Sequence, residues 1–599
     1  MKNRLIIPLL IVLSFLAFGR TIGNGFTGDD FPYLANNPAV RNFAGIGEFF
    51  SNPETATGGA ILLTYRPLRT LCFAVEWRLF GESFPLYHTV NVVLHAAATI
   101  LLLFVLRMLV HEPIAILAAC IFAVHSLQTE VVASIKAQDD LLAAIFTFTA
   151  LLVFLRTSGA WKLLILPLYA LALCSKEGAI VLPALLGLAS MTAGEGDWRA
   201  RVQKLPLALL SVLIAEGAFF LLVRQSLLDH VPKPEGASPW VFFPALARVP
   251  YYWGLFLWPA RLTIDYTSAT PWPAASWQFA ASITLQIGAA VLVLRSRRPL
   301  LIFGLAWFYL TVFPSLNSIV LFAERFMYLP LIGLALVAVD LAVVALGKVS
   351  MPSPRPKYAA AAVVLLLLGV RSAVRAGDWR DNETLFRAAL RVHPDSPFVQ
   401  NFLAQELIQK RQFDKALAMI PELPPSGPPR TFNERMTFAN RAYVALQQGD
   451  AKSAAALYAR MEPSPYMQGV DWRNAGMALA QLNDVPGAIA AMRQAVARAP
   501  HDPVALSVLG SLLLHTGDAA GARENFQTLL TLEPRNPAYW YYDVIAVRAL
   551  NGDAAAAARL REARAAGISF GSLLRQPGFL DNPNPELALA IRDASQSPP

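Results

Sequence analysis

The sequence predicts an all-α protein in two parts: a polytopic membrane bundle of about 11 spans over residues 1–373, then an α-solenoid of helical pairs over 374–599. Three observations predict it. The 599-residue chain is 55% hydrophobic and 15% charged, whereas an average soluble domain carries roughly 25% charge. Up to about residue 373 its apolar residues gather in runs near the roughly 20 residues that cross a bilayer, and no such run follows. Within the Ala-rich, charged remainder, Pro500 and Pro534 stand 34 residues apart, the tetratricopeptide period.

Apolar runs near 5–22, 86–108, 112–127, 140–156, 160–175, 177–193, 204–223, 276–294, 300–316, 325–346 and 358–373 supply the spans. Lys2/Arg4, Arg107, Arg156/Lys162, Arg199/Arg201/Lys204, Arg295/Arg297/Arg298 and Lys348/Arg355/Lys357 then fall in alternate loops, which the excess of cations assigns to the cytoplasm. The alternation requires the aromatic stretch Leu246 to Pro259, with Tyr251, Tyr252, Trp253 and Trp258, to be interfacial or re-entrant. The outer face then holds loops 23–85, 125–139, 224–275 and 317–324, the turn around Lys176, and the tail after about 374. Lys2 and Arg4 ahead of an apolar run without a clear small-residue cleavage site read as a retained signal anchor. These loops account for the net charge of +9, which argues against nucleic acid as a partner. Cys72, Cys120 and Cys174 lie too far apart for a zinc motif or a disulfide framework.

Aligning the tail on Pro500 and Pro534 puts Trp472, Gly476, Leu479, Ala488, Met492 and Ala495 in register with Leu506, Gly510, Leu513, Ala522, Phe526 and Leu529. The small residues allow the two helices of a unit to approach, and the large ones fill the space between units. Further units fit around Leu403/Ala404/Ala416, Ala442/Ala454/Tyr458 and Trp540/Ala556/Leu560, with Pro424 to Pro429 inserted in a connecting turn. About five units would form a concave surface suited to an extended peptide, or else an architectural cap or dimerisation surface.

The candidate site lies at the outer boundary. Asp29-Asp30 emerges just beyond the first span; adjacent carboxylates repel, which can lift one pKa and leave a proton acceptor, although a helix cap or solvated loop also uses Asp. Tyr65-Arg66-Pro67-Leu68 closes the first outer loop, and His88, Asn91 and His95 recur on one face of the second span. That stripe should face protein or a cavity rather than lipid, and His95 alone reads as well as a hydrogen-bonded interior histidine. The second outer loop carries His125, Gln128, Glu130, Lys136, Asp139 and Asp140; Lys176-Glu177 marks a third boundary. Glu324, Arg325 and Tyr328 precede a late span, where the arginine can pair with Glu324 or grip a phosphate. Arg66, Lys176 and Arg325 together exceed what helix orientation requires, so at least one is expected to bind phosphate.

In this order the residues resemble the transmembrane and tetratricopeptide repeat-containing (TMTC) proteins, within the GT-C class of glycosyltransferases. Besides the positions above, the resemblance rests on Phe122-Ala123-Val124-His125, Asp139-Asp140-Leu141-Leu142, Ser175-Lys176-Glu177, Trp258-Pro259 with Asp265-Tyr266, Ser315 with Asn317, Ala323-Glu324-Arg325 with Tyr328-Leu329-Pro330, and Asp378-Trp379 with Leu385-Phe386. It covers nearly the whole chain, and departs from the family at Ser126, where Pro is usual, and at Gln138, where Arg is common. It implies transfer of a hexose, mannose in studied members, from a polyprenyl phosphate to Ser or Thr hydroxyls of a protein on the non-cytoplasmic side.

A hydroxyl needs a base as sugar C1 is attacked, with Asp29 or Asp30 the candidate, and the departing phosphate needs a cation, with Arg325, Arg66 and Lys176 the candidates. Tyr65, His88, Asn91, His95, His125, Glu130, Asp139, Asp140, Glu177, Glu324 and Tyr328 would line the donor and acceptor pocket. No Gly-rich phosphate loop is present, which suits a lipid-linked donor better than a nucleotide sugar. Carboxylates alone could hold a divalent cation, but no ligand cluster demands one. Competing readings are a GT-C enzyme acting on a lipid or glycan, with the repeats as an assembly scaffold, and a non-catalytic membrane scaffold. A bacterial inner membrane with a periplasmic tail, or an endoplasmic reticulum membrane with lumenal repeats, gives the same topology.

Overall fold

The computed structural model describes residues 5–57, 64–193, 202–203, 205–229, 242–266, 276–317, 322–347, 355–570, 573–575 and 584–596. Arg199, Arg201, Lys204 and Lys348, and parts of loops 23–85, 224–275 and 317–324, lie outside them. Among the described residues the chain is helical, without a strand, and it divides into two compact units, Met1–Val399 and Gln400–Pro599.

Among the described residues of the first unit eight helices are long and apolar enough to cross a membrane: Ile6–Gly23, Phe84–Leu109, Ile135–Arg156, Leu207–Leu228, Trp277–Ser296, Pro299–Leu316, Pro330–Gly347 and Arg355–Asp378. A ninth is added if Glu112–Val124 and Ser126–Ala133, bent by 52°, form one broken span. The count of about 11 is therefore not reached among the described residues. The runs at 160–175 and 177–193 fold as Gly159–Ser175 and Glu177–Thr192, because the backbone becomes extended at Lys176 (φ −154°, ψ 130°) and interrupts what would otherwise be a longer helix. The aromatic stretch predicted not to span forms two short helices, Phe242–Ala247 and Val249–Leu257. Pro299–Val312 and Pro330–Gly347 cross at Gly304 and Gly333, where a Cβ on either residue would overlap the other's carbonyl oxygen. Such backbone contact supplies van der Waals attraction where lipid leaves little hydrophobic drive between helices.

The predicted second outer loop is not a solvent loop. Every residue from 118 to 144 is buried, and the segment between His125 and Asp139 turns back into the body of the unit through a short helix, Thr129–Ala133, flanked by 3-10 turns. Its charged side chains can be buried because each meets an opposite charge from another part of the chain: Glu130 meets Arg325, Lys136 Asp29, and Asp139 Arg66 and Arg69. The last apolar helix continues to Asp378, and Trp379 and Leu385 pack with Ala133 and Ile264. The compact unit thus extends to residue 399, beyond the end of apolar sequence at 373.

The second unit is a stack of helical pairs. First helices begin at Gly469, Pro503 and Pro537, each 34 residues from the next. Asp484 and Asp518 cap the partner helices Val485–Arg498 and Ala519–Leu532, accepting from Gly487 N and Gly521 N at 3.0 Å. The register read from sequence is the packing register: Met492 lies against Gly476 and Phe526 against Gly510, with no room for a Cβ on either glycine. Leu403, Ala404, Ala416, Ala442, Ala454, Tyr458, Ala556 and Leu560 are all buried. The Pro-rich insertion is fastened by Arg460 Nη2 donating to Pro424 O (3.0 Å) and by Ser464 Oγ donating to Pro429 O (2.7 Å).

Candidate active site

The loop that delivers the acidic pair is tied to the end of the last membrane helix. Asn24 Nδ2 donates to Ala376 O (2.9 Å), Gly25 N to Arg380 O (2.8 Å), and Gly28 N to Asn382 Oδ1 (2.7 Å). His88 Nε2 donates to Gly25 O at 3.3 Å. Gly28 adopts φ +48°, which favours glycine and turns the chain into the pair.

The two aspartates then separate in role. Asp30 is fully buried: Oδ2 accepts from Thr27 N (3.0 Å) and Thr27 Oγ1 (3.4 Å), Oδ1 from Lys136 N (2.8 Å) and Ser134 Oγ (3.3 Å). Burial pushes its carboxyl up to about 6, against these hydrogen bonds. Asp30 is a clasp between the first outer segment and the buried second one. The Asp29 side chain is 53% exposed, and its one charged neighbour among the described ion pairs is Lys136 Nζ at 3.7 Å.

Around the pair the other predicted ionic residues converge, each with a partner. Arg66 donates from Nη1 to Asp139 (2.5 Å) and grips Glu177 through Nε (3.1 Å) and Nη2 (2.8 Å). Lys176 Nζ meets Asp140 at 2.5 Å. Arg325 binds Glu130 through Nη1 (2.5 Å) and its own backbone N (2.9 Å). Glu324 does not pair with Arg325 as the adjacent positions suggested: it is fully buried and accepts from Arg375 Nη2 (2.9 Å) and Tyr266 OH (3.0 Å). Neighbours along a turn point apart, which is why adjacency misled. Arg325 and Lys176 keep side-chain exposures of 23% and 17%, against 9% for Arg66.

The remaining predicted residues form the interior wall. His95 donates from Nε2 to Ala123 O (3.3 Å), accepts Tyr328 OH at Nδ1 (2.9 Å) and stacks on Phe122, so it is the hydrogen-bonded interior histidine. His125 donates to Phe256 O (3.0 Å) and caps the following turn through Leu127 N (3.2 Å). Asn91 Nδ2 donates to Ser134 O at 2.9 Å, and Tyr65 OH to Phe50 O at 2.8 Å. Gln138, where the family resemblance fails, donates to Glu76 Oε1 (2.6 Å), a buried carboxyl that burial lifts to about 7.

Sequence reading did not single out Arg69, Arg375, Tyr33 or Glu76. Arg69 is fully buried, reaches Asp139 (3.2 Å) and lies 4.2 Å over the Tyr33 ring. A signal existed for it, since it follows Arg66 by three residues and so shares its helix face. Arg375 lay past the apolar run and gave no such sign. Among the described residues no group of three His, Cys, Asp or Glu converges to hold a metal ion.

The arrangement is that of an all-α membrane protein with a charged site in its first unit and a stack of helical pairs as its second. Residues 367–428 and 473–537 match the tetratricopeptide repeat family. The chain is similar to the mouse protein O-mannosyl-transferase TMTC4 (26% identity, 64% of this chain, 61% of the relative) and to mouse TMTC3 (24% identity, 89% and 64%). Human TMTC1 is 34% identical over a shorter stretch, 25% of this chain and 18% of the relative. The chain thus spans somewhat under two thirds of the length of the first of these relatives. Among solved structures, an Archaeoglobus fulgidus oligosaccharyltransferase with a tethered acceptor peptide aligns over 70% of this chain and 59% of its own at 14% identity and TM-score 0.35. The tetratricopeptide protein YrrB aligns over 30% of this chain and 90% of its own at 16% identity and TM-score 0.25.

Proposed function

We propose that the chain is a membrane glycosyltransferase that moves a hexose, mannose by its resemblance, from a polyprenyl-phosphate sugar to a Ser or Thr hydroxyl of a protein acceptor. The observation that carries this reading is the division of labour in the acidic pair: Asp30 is buried and saturated, which holds Asp29 at the surface with an open carboxylate. Asp29 is the base. It takes the acceptor's hydroxyl proton as the oxygen attacks sugar C1; the C1–O bond to phosphate breaks on the opposite face, the anomeric centre inverts, and polyprenyl phosphate leaves with the electron pair. Arg325 and Lys176, the two predicted cations with exposed surface, stabilise the charge that develops on the phosphate. Arg66, with all three donor nitrogens committed to Asp139 and Glu177, holds the frame. The repeats present the acceptor from the non-cytoplasmic side, in a bacterial periplasm or its endoplasmic reticulum equivalent.

The test is incubation of the purified chain with a panel of polyprenyl-phosphate sugars, followed by mass spectrometry of candidate acceptors. Transfer that survives Asp29→Asn removes the base assignment. Deleting residues 400–599 distinguishes the lipid-acceptor reading: protein transfer is expected to be lost, whereas a small lipid acceptor, if that is the true substrate, would still be used. The cut falls after 399 because Ser396 Oγ donates to Asp265 (2.5 Å) within the first unit.

A further inference from the structure

Five cations meet the carboxylates of this site, and four of them have a carboxylate oxygen within 3.2 Å: Arg66, Arg69, Lys176 and Arg325. The fifth, Lys136, does not. Its side chain is 9% exposed, its ammonium lies 3.7 Å from Asp29 and 5.5 Å over the Tyr33 ring. A buried ammonium held this loosely is weakly compensated for the water it has lost. Its backbone is fixed all the same, since Lys136 N is hydrogen-bonded to Asp30 Oδ1 at 2.8 Å. The main chain at 136 is clamped by one aspartate, while the side chain rests against the other.

We infer that Lys136 is a direct ligand of the donor's phosphate, and that donor binding draws its ammonium from Asp29 to the phosphate oxygen and so frees the base. The inference rests on the lipid-phosphate reading above and deepens it. An ammonium with no short carboxylate contact gains most from an incoming oxyanion, and a charge-assisted bond to phosphate is shorter and stronger than a 3.7 Å pair. The carboxylate it leaves is the one that must accept a proton next. Donor therefore binds before acceptor attack, and the same lysine links the two events.

The test uses the full chain and a short-chain polyprenyl monophosphate without sugar, titrated by a direct binding method. Wild type is expected to bind; Lys136→Met is expected to bind about tenfold more weakly or worse, and Lys136→Arg within about threefold. In turnover, Lys136→Met raises KM for donor and lowers kcat, leaving KM for acceptor peptide as it was; a purely structural role would move all three. Asp29→Asn removes the carboxylate that pairs with the ammonium, leaving the longer-range attraction of Asp139, and is expected to bind the monophosphate more tightly than wild type, a gain that vanishes in the Asp29→Asn/Lys136→Met double variant. Equal affinity of wild type and Lys136→Met overturns the assignment of the lysine and leaves the lipid-phosphate reading standing. Failure of wild type to bind removes that reading and the lysine's role with it. If Lys136→Met does not purify folded, Asp29→Asn decides: affinity unchanged from wild type overturns the inference.

Discussion

The two units of this chain stabilise buried charge in opposite ways. In Met1–Val399 the partners come from far apart in sequence: Asp30 and Lys136 are 106 residues apart, Arg66 and Glu177 111, and Glu130 and Arg325 195. In Gln400–Pro599 the buried pairs stay within about one repeat: Arg435 and Asp471 are 36 apart, and Asp543 and Arg559 16. Long-range pairs that share carboxylates make a unit that must assemble all at once. Short-range pairs repeated along a solenoid make one in which each unit contacts only its neighbours.

The comparison can be broken first at the acidic pair. Asp29→Asn is expected to lower transfer by about 10²- to 10⁴-fold with little change in thermal stability, because it removes a base and a loose 3.7 Å ion pair but no structural hydrogen bond; Asp30→Asn should instead lower stability clearly, since an amide cannot accept from both backbone N–H groups. Peptide transfer assays paired with unfolding in detergent separate the two. Next comes Arg66→Met, which strands Asp139 and Glu177 and should cost about 3–5 kcal/mol. Combined with Arg69→Met, a neighbour on the same carboxylate, its effect should be clearly non-additive. In the repeats, Gly510→Ala drives a methyl into the Phe526 ring at 2.8 Å and should cost about 1–3 kcal/mol. Added to Asp484→Ala, a cap loss of about 1 kcal/mol, it should give a simple sum; coupling as strong as that in the first unit would erase the contrast.

The smallest effect concerns pH. Asp30 and Glu76 titrate near 6 and 7 when folded, above their ordinary 3.8 and 4.5. A carboxyl raised by folding favours the folded state most below its unfolded pKa and loses that contribution as pH rises through the folded value. The midpoint of unfolding should therefore fall between pH 5 and pH 8, and a flat profile would show that burial of these two groups is offset elsewhere.

What could be read from the sequence follows the same division. The solenoid was legible because its contacts recur at a fixed interval, so Gly476 with Met492 and Gly510 with Phe526 followed from one alignment. The His88, Asn91 and His95 stripe was legible for a similar reason, helical spacing. The ionic partners were not, because nothing local tells Arg325 to choose Glu130 over Glu324, or announces that Glu324 is met by Arg375 from a helix 51 residues on. The burial of the 125–139 segment was not legible either, because the charges that match its own come from distant positions: Asp29 for Lys136, Arg66 and Arg69 for Asp139, and Arg325 for Glu130. The runs on either side of Lys176 were separable in sequence, and the backbone is extended at that residue, as it is at His125.

The clasp made by Asp30 has one more consequence. Because it fixes the main chain at residues 27 and 136 by hydrogen bonds to backbone nitrogen, the side chains at 29 and 136 sit on a chassis that does not depend on their own identity. Chemistry at those two positions can be rewritten while the scaffolding stays the same, which makes them the natural place to graft a different nucleophile, acid or reporter group onto this protein.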